Sequence, residues 1–238
     1  DGKHKFAKVL KKAKKPMLIL GQGALTRPDG SAVLAMARAI AEKYGMITDD
    51  WNGFNVLHTA AARVGGLDLG IISDGGVASI VDECSAGKID VIYLLGADEI
   101  DTNKLGKAFV IYQGHHGDAG AHRADVILPG AAYTEKNATF VNTEGRVQKT
   151  QLAVFPVGEA REDWTIIRAL SDVLGHKLPY DTLSEVRSRM VEINAVFKGD
   201  DQATGGVWGK FGTKGELESS AFVSPILNFH MTDPISRA

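Results

Sequence analysis

Short apolar runs alternate with longer amphipathic stretches from Pro16 to about Leu128. Met17-Leu18-Ile19-Leu20 is a continuous apolar run ending at Gly21, the pattern of a strand covered on both faces. Val33, Met36, Ala37 and Ile40 then recur at helical spacing across Ala32–Tyr44, with Asp29-Gly30-Ser31 leading in and Gly45 as the stop. Met46-Ile47-Thr48 reads as a second short strand. Val56–Val64 is predicted helical, with Leu57, Ala60, Ala61 and Val64 on one side and Gly65-Gly66 at its end. Val77–Ser85 is another helix, carrying Ile80, Val81 and Cys84 on one stripe. Three further strands follow: Asp90–Leu95 closed by Gly96, Ala108–Tyr112, and Ala124–Leu128 ended by Pro129-Gly130. Strands separated by helices pair in parallel through crossover connections. The predicted fold class is therefore α/β, an open, mostly parallel Rossmann-like sheet of about five strands with flanking helices.

The pattern then changes. Ala138–Asn142 and Arg146–Lys149 flank Thr143-Glu144-Gly145, with glycine where a hairpin needs a left-handed residue. Two helices follow the hairpin. Arg161–Leu174 aligns Trp164, Ile167, Leu170, Val173 and Leu174, and Leu183–Phe197 aligns Leu183, Val186, Met190, Ile193 and Phe197. Thr182 and Glu185 have the spacing of a capping box at the start of the second helix, and Pro179 keeps the two helices apart. Lys198–Ser220 holds six glycines among mixed charges. Ala221-Phe222-Val223 and Pro225–Met231 restore apolar content without a period, as in an extended tail that gains order by lying on another surface. Four segments result: a lysine-rich leader or linker over 1–15, an α/β domain over 16–155, a helical extension over 156–197 and an extended tail over 198–238. Within the leader, Phe6, Val9 and Leu10 form a helical stripe; a solvated helix or linker accounts for it better than a targeting peptide, because no cleavage context is present.

Composition narrows the function classes. The chain has 238 residues, 44% hydrophobic and 24% charged, so it carries enough apolar material for a folded core. Its 27 basic residues are matched by 29 acidic ones, which removes the electrostatic footprint of a nucleic-acid partner. No apolar run approaches the roughly 18–20 residues needed to cross a bilayer, so no direct membrane span is expected. Cys84 is the single cysteine and lies on an apolar stripe. A disulfide framework, or a cluster needing several thiolates from this chain, is excluded.

Candidate chemistry is sparse. Gly21-Gln22-Gly23 follows a strand like the opening of a phosphate-cradling loop, but Thr26 stands where the dinucleotide fingerprint needs its third glycine. Asp49, near the end of the second predicted strand, could serve a ribose hydroxyl. His115-His116-Gly117-Asp118, with His122 and Asp125, is the densest set of potential metal ligands, although adjacent histidines on regular backbone point apart. Asp98-Glu99 and Asp101 follow a strand end, where open α/β sheets place ligands. No nucleophile–base pair can be assigned beside them, and Ser31, Ser73 and Ser79 lack a nucleophile elbow. No catalytic, cofactor-binding or metal residues are assigned.

Two segments go beyond fold class. Ala124–Pro129, Tyr133-Thr134-Glu135-Lys136 and Phe140–Gln148 together resemble the signature of the molybdopterin oxidoreductase superfamily. Tyr112–Asp118 (Tyr-Gln-Gly-His-His-Gly-Asp), Trp51–His58 and Met231–Arg237 narrow the resemblance to the large iron–sulfur subunits of proton-translocating NADH:quinone oxidoreductase, respiratory complex I. The resemblance runs from about Lys15 to the end. It implies the C-terminal portion of a longer subunit that carries electrons from NADH toward quinone, coupled to proton translocation. It further implies [2Fe-2S] and [4Fe-4S] clusters held in an N-terminal portion absent here, and no cofactor in this segment. Other peripheral-arm subunits would be its partners, on the matrix side of the mitochondrial inner membrane or the cytoplasmic side of the bacterial one. In the superfamily's molybdenum enzymes the equivalent domain helps hold a pterin; here a retained scaffold is expected, with Glu144 and Arg146 forming an internal ion pair or a domain contact. The alternative is a pterin- or nucleotide-binding domain using Gly21–Gly23 or Asp98-Glu99. An interaction arm over Gly199–Ala238 is a third, independent idea.

Overall fold

In the computed structural model, which describes residues 2–61, 63–203 and 206–237, the lysine-rich opening forms a short helix, α1 (Ala7–Lys12), ahead of strand β1 (Leu18–Gly21). Leu18 and Leu20 are half-buried while Ile19 is exposed, so β1 is covered less fully than its unbroken apolar run implies. Helix α2 (Gly30–Lys43) buries Ala32, Ala35, Ala37 and Ala41 and leaves Met36 half exposed. Of the predicted stripe, Ala37 is buried and Val33 and Ile40 are half-buried, with Met36 the exposed member; Ala32 and Ala35 are buried on another side of the helix.

Two sequence expectations are corrected after α2. Ile47–Thr48 (β2) does not join a parallel sheet; it pairs antiparallel with Trp51–Asn52 (β3) across a tight turn at Asp49-Asp50. The helix predicted over Val56–Val64 does not form as drawn: among its described residues only Arg63 and Val64 are helical. Phe54–Leu57 forms β4, which runs parallel to β1 with Leu18 opposite Phe54 and Gly21 opposite Leu57. Aromatic and β-branched side chains at Phe54 and Val56 outweigh a helical spacing only nine residues long. Helix α3 (Arg63–Asp68) begins later and runs through Gly65-Gly66 instead of stopping there.

The chain divides into two compact units. The first comprises Asp1–Val64, Val141–Arg146 and Gln202–Leu227; the second comprises Gly65–Phe140, Val147–Asp201 and Asn228–Ala238. In the second, helix α4 (Gly76–Ser85) precedes strands β5 (Val91–Leu95) and β6 (Phe109–Gly114), helix α5 (Ala119–Arg123) and strand β7 (Val126–Pro129). The three strands are parallel in the order β5-β6-β7. Their core joins Val81 and Cys84 of α4 to Leu94, Val110 and Tyr112 of the sheet, with Leu105 and Ala108 between. Cys84 is fully buried there, as its stripe predicts. Among the described residues, the parallel-paired strands are therefore divided as two in one unit and three in the other.

The predicted hairpin forms from β8 (Thr139–Val141) and β9 (Val147–Lys149), with Gly145 at φ 80°. Helices α6 (Asp163–Val173) and α7 (Leu183–Ile193) follow. The capping box is present: Thr182 Oγ1 accepts from the Glu185 amide at 3.2 Å, and Glu185 Oε2 accepts from the Thr182 amide at 2.8 Å. A last turn, α8 (Pro234–Arg237), closes the described chain.

Candidate functional site

Open parallel sheets present ligands beyond the carboxyl ends of their strands, so the loops after β1, β5 and β6 are where a site would be built. In the second unit, Asp98 and Glu99 follow β5 and Asp118 follows β6. All three meet one cation from α8. Arg237 donates through Nη2 to Asp98 Oδ1 at 2.8 Å, through Nη1 to Glu99 Oε1 at 3.2 Å and through Nε to Asp118 Oδ2 at 2.6 Å. The Asp98 side chain is 1% exposed. Burial pushes its carboxyl above the ordinary carboxylate range, against the pull of Arg237, whereas the hydrogen bond from Arg237 holds Asp118 below that range. Asp101 stands apart from this cup and caps the 3-10 turn Thr102–Leu105 by accepting from the Asn103 amide. The acids predicted as a pair for acid–base work are thus engaged by a guanidinium from within the chain.

His115 and His116 do not point apart. The regular strand ends at Gly114, and the two rings meet edge to face with their Nδ1 atoms 2.6 Å apart. One nitrogen must donate and the other accept, so the pair shares its protons rather than offering two free ligand atoms. Burial, then the neighbouring His116 and Lys136, lower the His115 pKa. Asp125 is occupied elsewhere, accepting from the Val110 amide at 2.8 Å and facing Arg123 at 3.5 Å. Among the described residues no three His, Cys, Asp or Glu side chains come together in a way that could hold a metal ion.

One polar network escaped the sequence reading. Gln113 is fully buried at the end of β6; it accepts from the Tyr93 hydroxyl and donates to Asp163 Oδ1 at 2.8 Å. Asp163 also pairs with Lys136 Nζ at 2.5 Å, tying the Tyr133–Lys136 segment to the start of α6. The available signal was a glutamine closing the apolar strand run Val110-Ile111-Tyr112. A buried amide needs partners for both ends, and sequence alone does not say which residues supply them.

In the first unit, Gly21-Gln22-Gly23 is not shaped to cradle phosphate. Gln22–Ala24 forms a 3-10 turn, and the Leu25 and Thr26 amides donate to the Gln22 carbonyl at 2.8 and 3.2 Å. The Gln22 side-chain oxygen accepts from Arg63 and from the Thr59 amide. A Cβ added at Gly23 would lie 2.5 Å from Pro225 Cδ, so the approach a pyrophosphate would use is packed by the late segment of the chain. Helix α2 starts seven residues after Gly23, too late to aim its N-terminus at this turn. Asp49 sits exposed in the β2–β3 turn rather than at a parallel strand end. These residues do not fit a dinucleotide or pterin pyrophosphate.

The same late segment is ordered along α2. The Thr213 amide donates to Ser31 Oγ at 2.9 Å, the Glu218 amide to Asp29 Oδ2 at 2.9 Å, and Arg27 Nη1 to the Ser220 carbonyl at 2.8 Å. Trp208 stacks edge to face on Phe54 and Phe211 and donates Nε1 to Glu42 at 3.1 Å. Gly212 lets the backbone lie against α2, since a Cβ there would come within 2.4 Å of the Ala35 nitrogen. The surface on which the tail gains order is its own chain. The hairpin turn also carries the expected ion pair, Arg146 Nε donating to Glu144 Oε1 at 2.8 Å.

Residues 1–173 match the family model of molybdopterin oxidoreductases, and residues 195–238 match that of the C-terminal region of the NADH-ubiquinone oxidoreductase G subunit. The loops after β1, β5 and β6 fall in the first match; Pro225 and Arg237, which fill them, fall in the second. Similar curated proteins include the NADH-ubiquinone oxidoreductase 75 kDa subunit of Reclinomonas americana, 44% identical over 100% of this chain and 35% of the relative. The NADH-quinone oxidoreductase G subunit of Rickettsia bellii is 43% identical over 98% of this chain and 33% of the relative. That of Rickettsia typhi is 44% identical over 99% and 34%. The chain spans about a third of the length of the curated relatives it matches.

Proposed function

The chain belongs to the molybdopterin oxidoreductase family, and from that premise we propose that it is a structural, cofactor-free part of the large iron–sulfur subunit of a respiratory NADH:quinone oxidoreductase. The observation that carries this reading is the filling of the family's ligand loops from within. Arg237 hydrogen-bonds the carboxylates beyond β5 and β6, and Pro225 packs on the glycine beyond β1. Both fillers come from the segment that matches the family model of the NADH-ubiquinone oxidoreductase C-terminal region. A fold that once presented strand ends to a cofactor here holds its own chain in those places.

In this reading, iron–sulfur clusters of the [2Fe-2S] and [4Fe-4S] types lie in parts of the subunit outside these residues and carry electrons from NADH toward quinone. The single, buried Cys84 supplies no cluster ligand set. No helix among the described residues is long and apolar enough to cross a membrane. We propose the peripheral arm of the complex as the subunit's location, on the mitochondrial matrix or bacterial cytoplasmic side, with other peripheral-arm subunits as neighbours.

Replacing the corresponding stretch of a bacterial large iron–sulfur subunit by this chain tests the proposal. NADH:quinone activity and the full set of cluster signals in electron paramagnetic resonance are expected to persist in the assembled chimera. Assembly with a cluster signal lost would show that redox ligands reside in this stretch and overturn the reading. Stoichiometric pterin recovered with the chimera would instead favour a cofactor-binding domain.

A further inference from the structure

In the second unit, strands β8 and β9 and helix α7 line a groove of about 410 Å³, a volume in the range of small-molecule sites. Its lining carries cations and hydroxyls and, among the described residues, no carboxylate. Lys149 of β9, Arg187 of α7 and Lys198 at the end of the 3-10 turn Ala195–Lys198 supply the charge. Like charges around one concave surface repel each other and attract an anion. The acids of α7 are engaged elsewhere: Glu185 accepts from the Asp181 and Thr182 amides, and Glu192 from Arg189.

Two of the three cations are held in place. Arg187 donates through Nε to Thr139 Oγ1 at 3.3 Å and through Nη2 to the Ala138 carbonyl at 3.4 Å, which fixes its guanidinium against β8. Its Nη1 has no partner among the described residues, so a bound group meets a donor whose orientation is already set. Asn194 caps the turn that carries Lys198, accepting from the Val196 amide at 3.1 Å, and buried Phe197 anchors that turn. Lys198 forms no ion pair among the described residues. Lys149 faces Asp200 at 3.2 Å, an exposed pair of the kind that contributes little and that an anion can displace. Ser184, Arg187, Ser188 and Val191 recur at helical spacing, so one face of α7 lines the groove. Ser188 donates to the Ser184 carbonyl at 3.0 Å, and the Ser184 hydroxyl is left to donate into the groove.

We propose that this groove binds a phosphate monoester with a small apolar substituent. Arg187 Nη1, the Lys149 and Lys198 ammonium groups and the Ser184 hydroxyl offer donors from three elements. That set suits the three oxygens and near-double charge of a phosphate better than the two coplanar oxygens of a carboxylate. Met190 and Val191, both half-buried, border the groove and would cover the substituent. None of the lining residues belongs to the loops beyond β1, β5 and β6, and α7 lies between the two stretches that match family models. The groove thus stands apart from the strand ends where open parallel sheets present ligands. A phosphate ester carries no redox centre, so its binding neither requires nor contradicts a cofactor-free scaffold.

The test is an amide NMR titration of the full chain with phenyl phosphate, inorganic phosphate, benzoate and phenol. Phenyl phosphate is expected to saturate with a Kd of about 1 mM or tighter, shifting the Ser184, Ser188 and Lys198 amides. Inorganic phosphate and benzoate should bind at least about fivefold more weakly, and phenol should shift nothing. Lys198→Gln, which removes no ion pair within the chain, should weaken phenyl phosphate at least about fivefold at an unchanged melting temperature. Asp200→Asn should tighten binding by about twofold or more by freeing Lys149, a gain that a purely structural role for Asp200 would not produce. No saturable shift up to about 10 mM would overturn the proposal. So would shifts confined to the lysine-rich opening, or an affinity unchanged in Lys198→Gln. Benzoate binding as tightly as phenyl phosphate would contradict the choice of phosphate.

Discussion

Arg237 and Asp98, 139 residues apart in sequence, meet at 2.8 Å beyond the end of β5. The Asp98 side chain is almost wholly buried there, and its Oδ2 atom has no hydrogen-bond partner among the described residues. A buried carboxylate with one engaged oxygen depends on its counter-charge. Arg237→Ala is therefore expected to destabilise the second unit by about 2 kcal/mol, read as a lower melting temperature in thermal unfolding. Asp98→Asn in the same chain should recover a substantial part of the loss. Additive losses in the double variant would show that the two side chains are not coupled.

Gly23 and Pro225 are coupled by shape instead of charge. Gly23→Ala sets a methyl group 2.5 Å from the proline ring and is expected to cost about 1–2 kcal/mol. It should also raise the protease sensitivity of the segment around Phe222–Ile226. Pro225→Ala removes the ring atoms concerned, so the double variant should lose less than the sum of the two single ones. Urea unfolding of the four proteins completes the cycle.

The His115 ring is held neutral by burial and by its neighbour, so its folded pKa lies below the ordinary 6.5. A group with a depressed folded pKa favours the folded state at pH above its unfolded value and loses that advantage as pH falls. Stability should thus begin to decline as pH drops through about 6.5, where the unfolded chain gains a proton that the folded chain refuses. His115→Gln is expected to flatten this part of the profile. A slope unchanged in the variant would place the effect elsewhere, with His58, which burial and Arg63 also hold below the ordinary value, as the next residue to replace.

The aromatic contact between Trp208 and Phe54 fastens the late segment to β4, with ring centroids 5.3 Å apart. Trp208→Ala is expected to cost about 1–2 kcal/mol and to speed amide exchange between residues 206 and 220. Exchange unchanged in that stretch would mean that the hydrogen bonds to Ser31 and Asp29 suffice to hold it.

Much of the fold was legible where local chemistry and tertiary packing agree. The strands β5, β6 and β7, helix α4 and the Thr182–Glu185 box are set by nearby residues and appear as their patterns imply. The mistaken helix over Val56–Val64 shows the limit: Phe54–Leu57 is decided by pairing with β1, some 36 residues earlier, which no local period records. Helix α2 was incompletely legible, because Ala32 and Ala35 face a tail segment around Gly212–Gly215 that comes about 180 residues later. Gly21-Gln22-Gly23 and Asp98-Glu99 do follow the ends of β1 and β5, as the apolar runs before them imply. That they are closed was not legible, since nothing in Gly21-Gln22-Gly23 or Asp98-Glu99 announces Pro225 or Arg237. The resemblance linked the Met231–Arg237 motif to the family without saying what the arginine touches.

Quantifying iron, molybdenum, tungsten and pterin in the purified chain, expressed in a host that makes both cluster and pterin cofactors, bears most directly on the claim that the ligand loops are filled from within. Far less than one equivalent of each is expected, with the wild-type chain folded and Arg237 in place. One equivalent of any of them, retained through gel filtration, would contradict it.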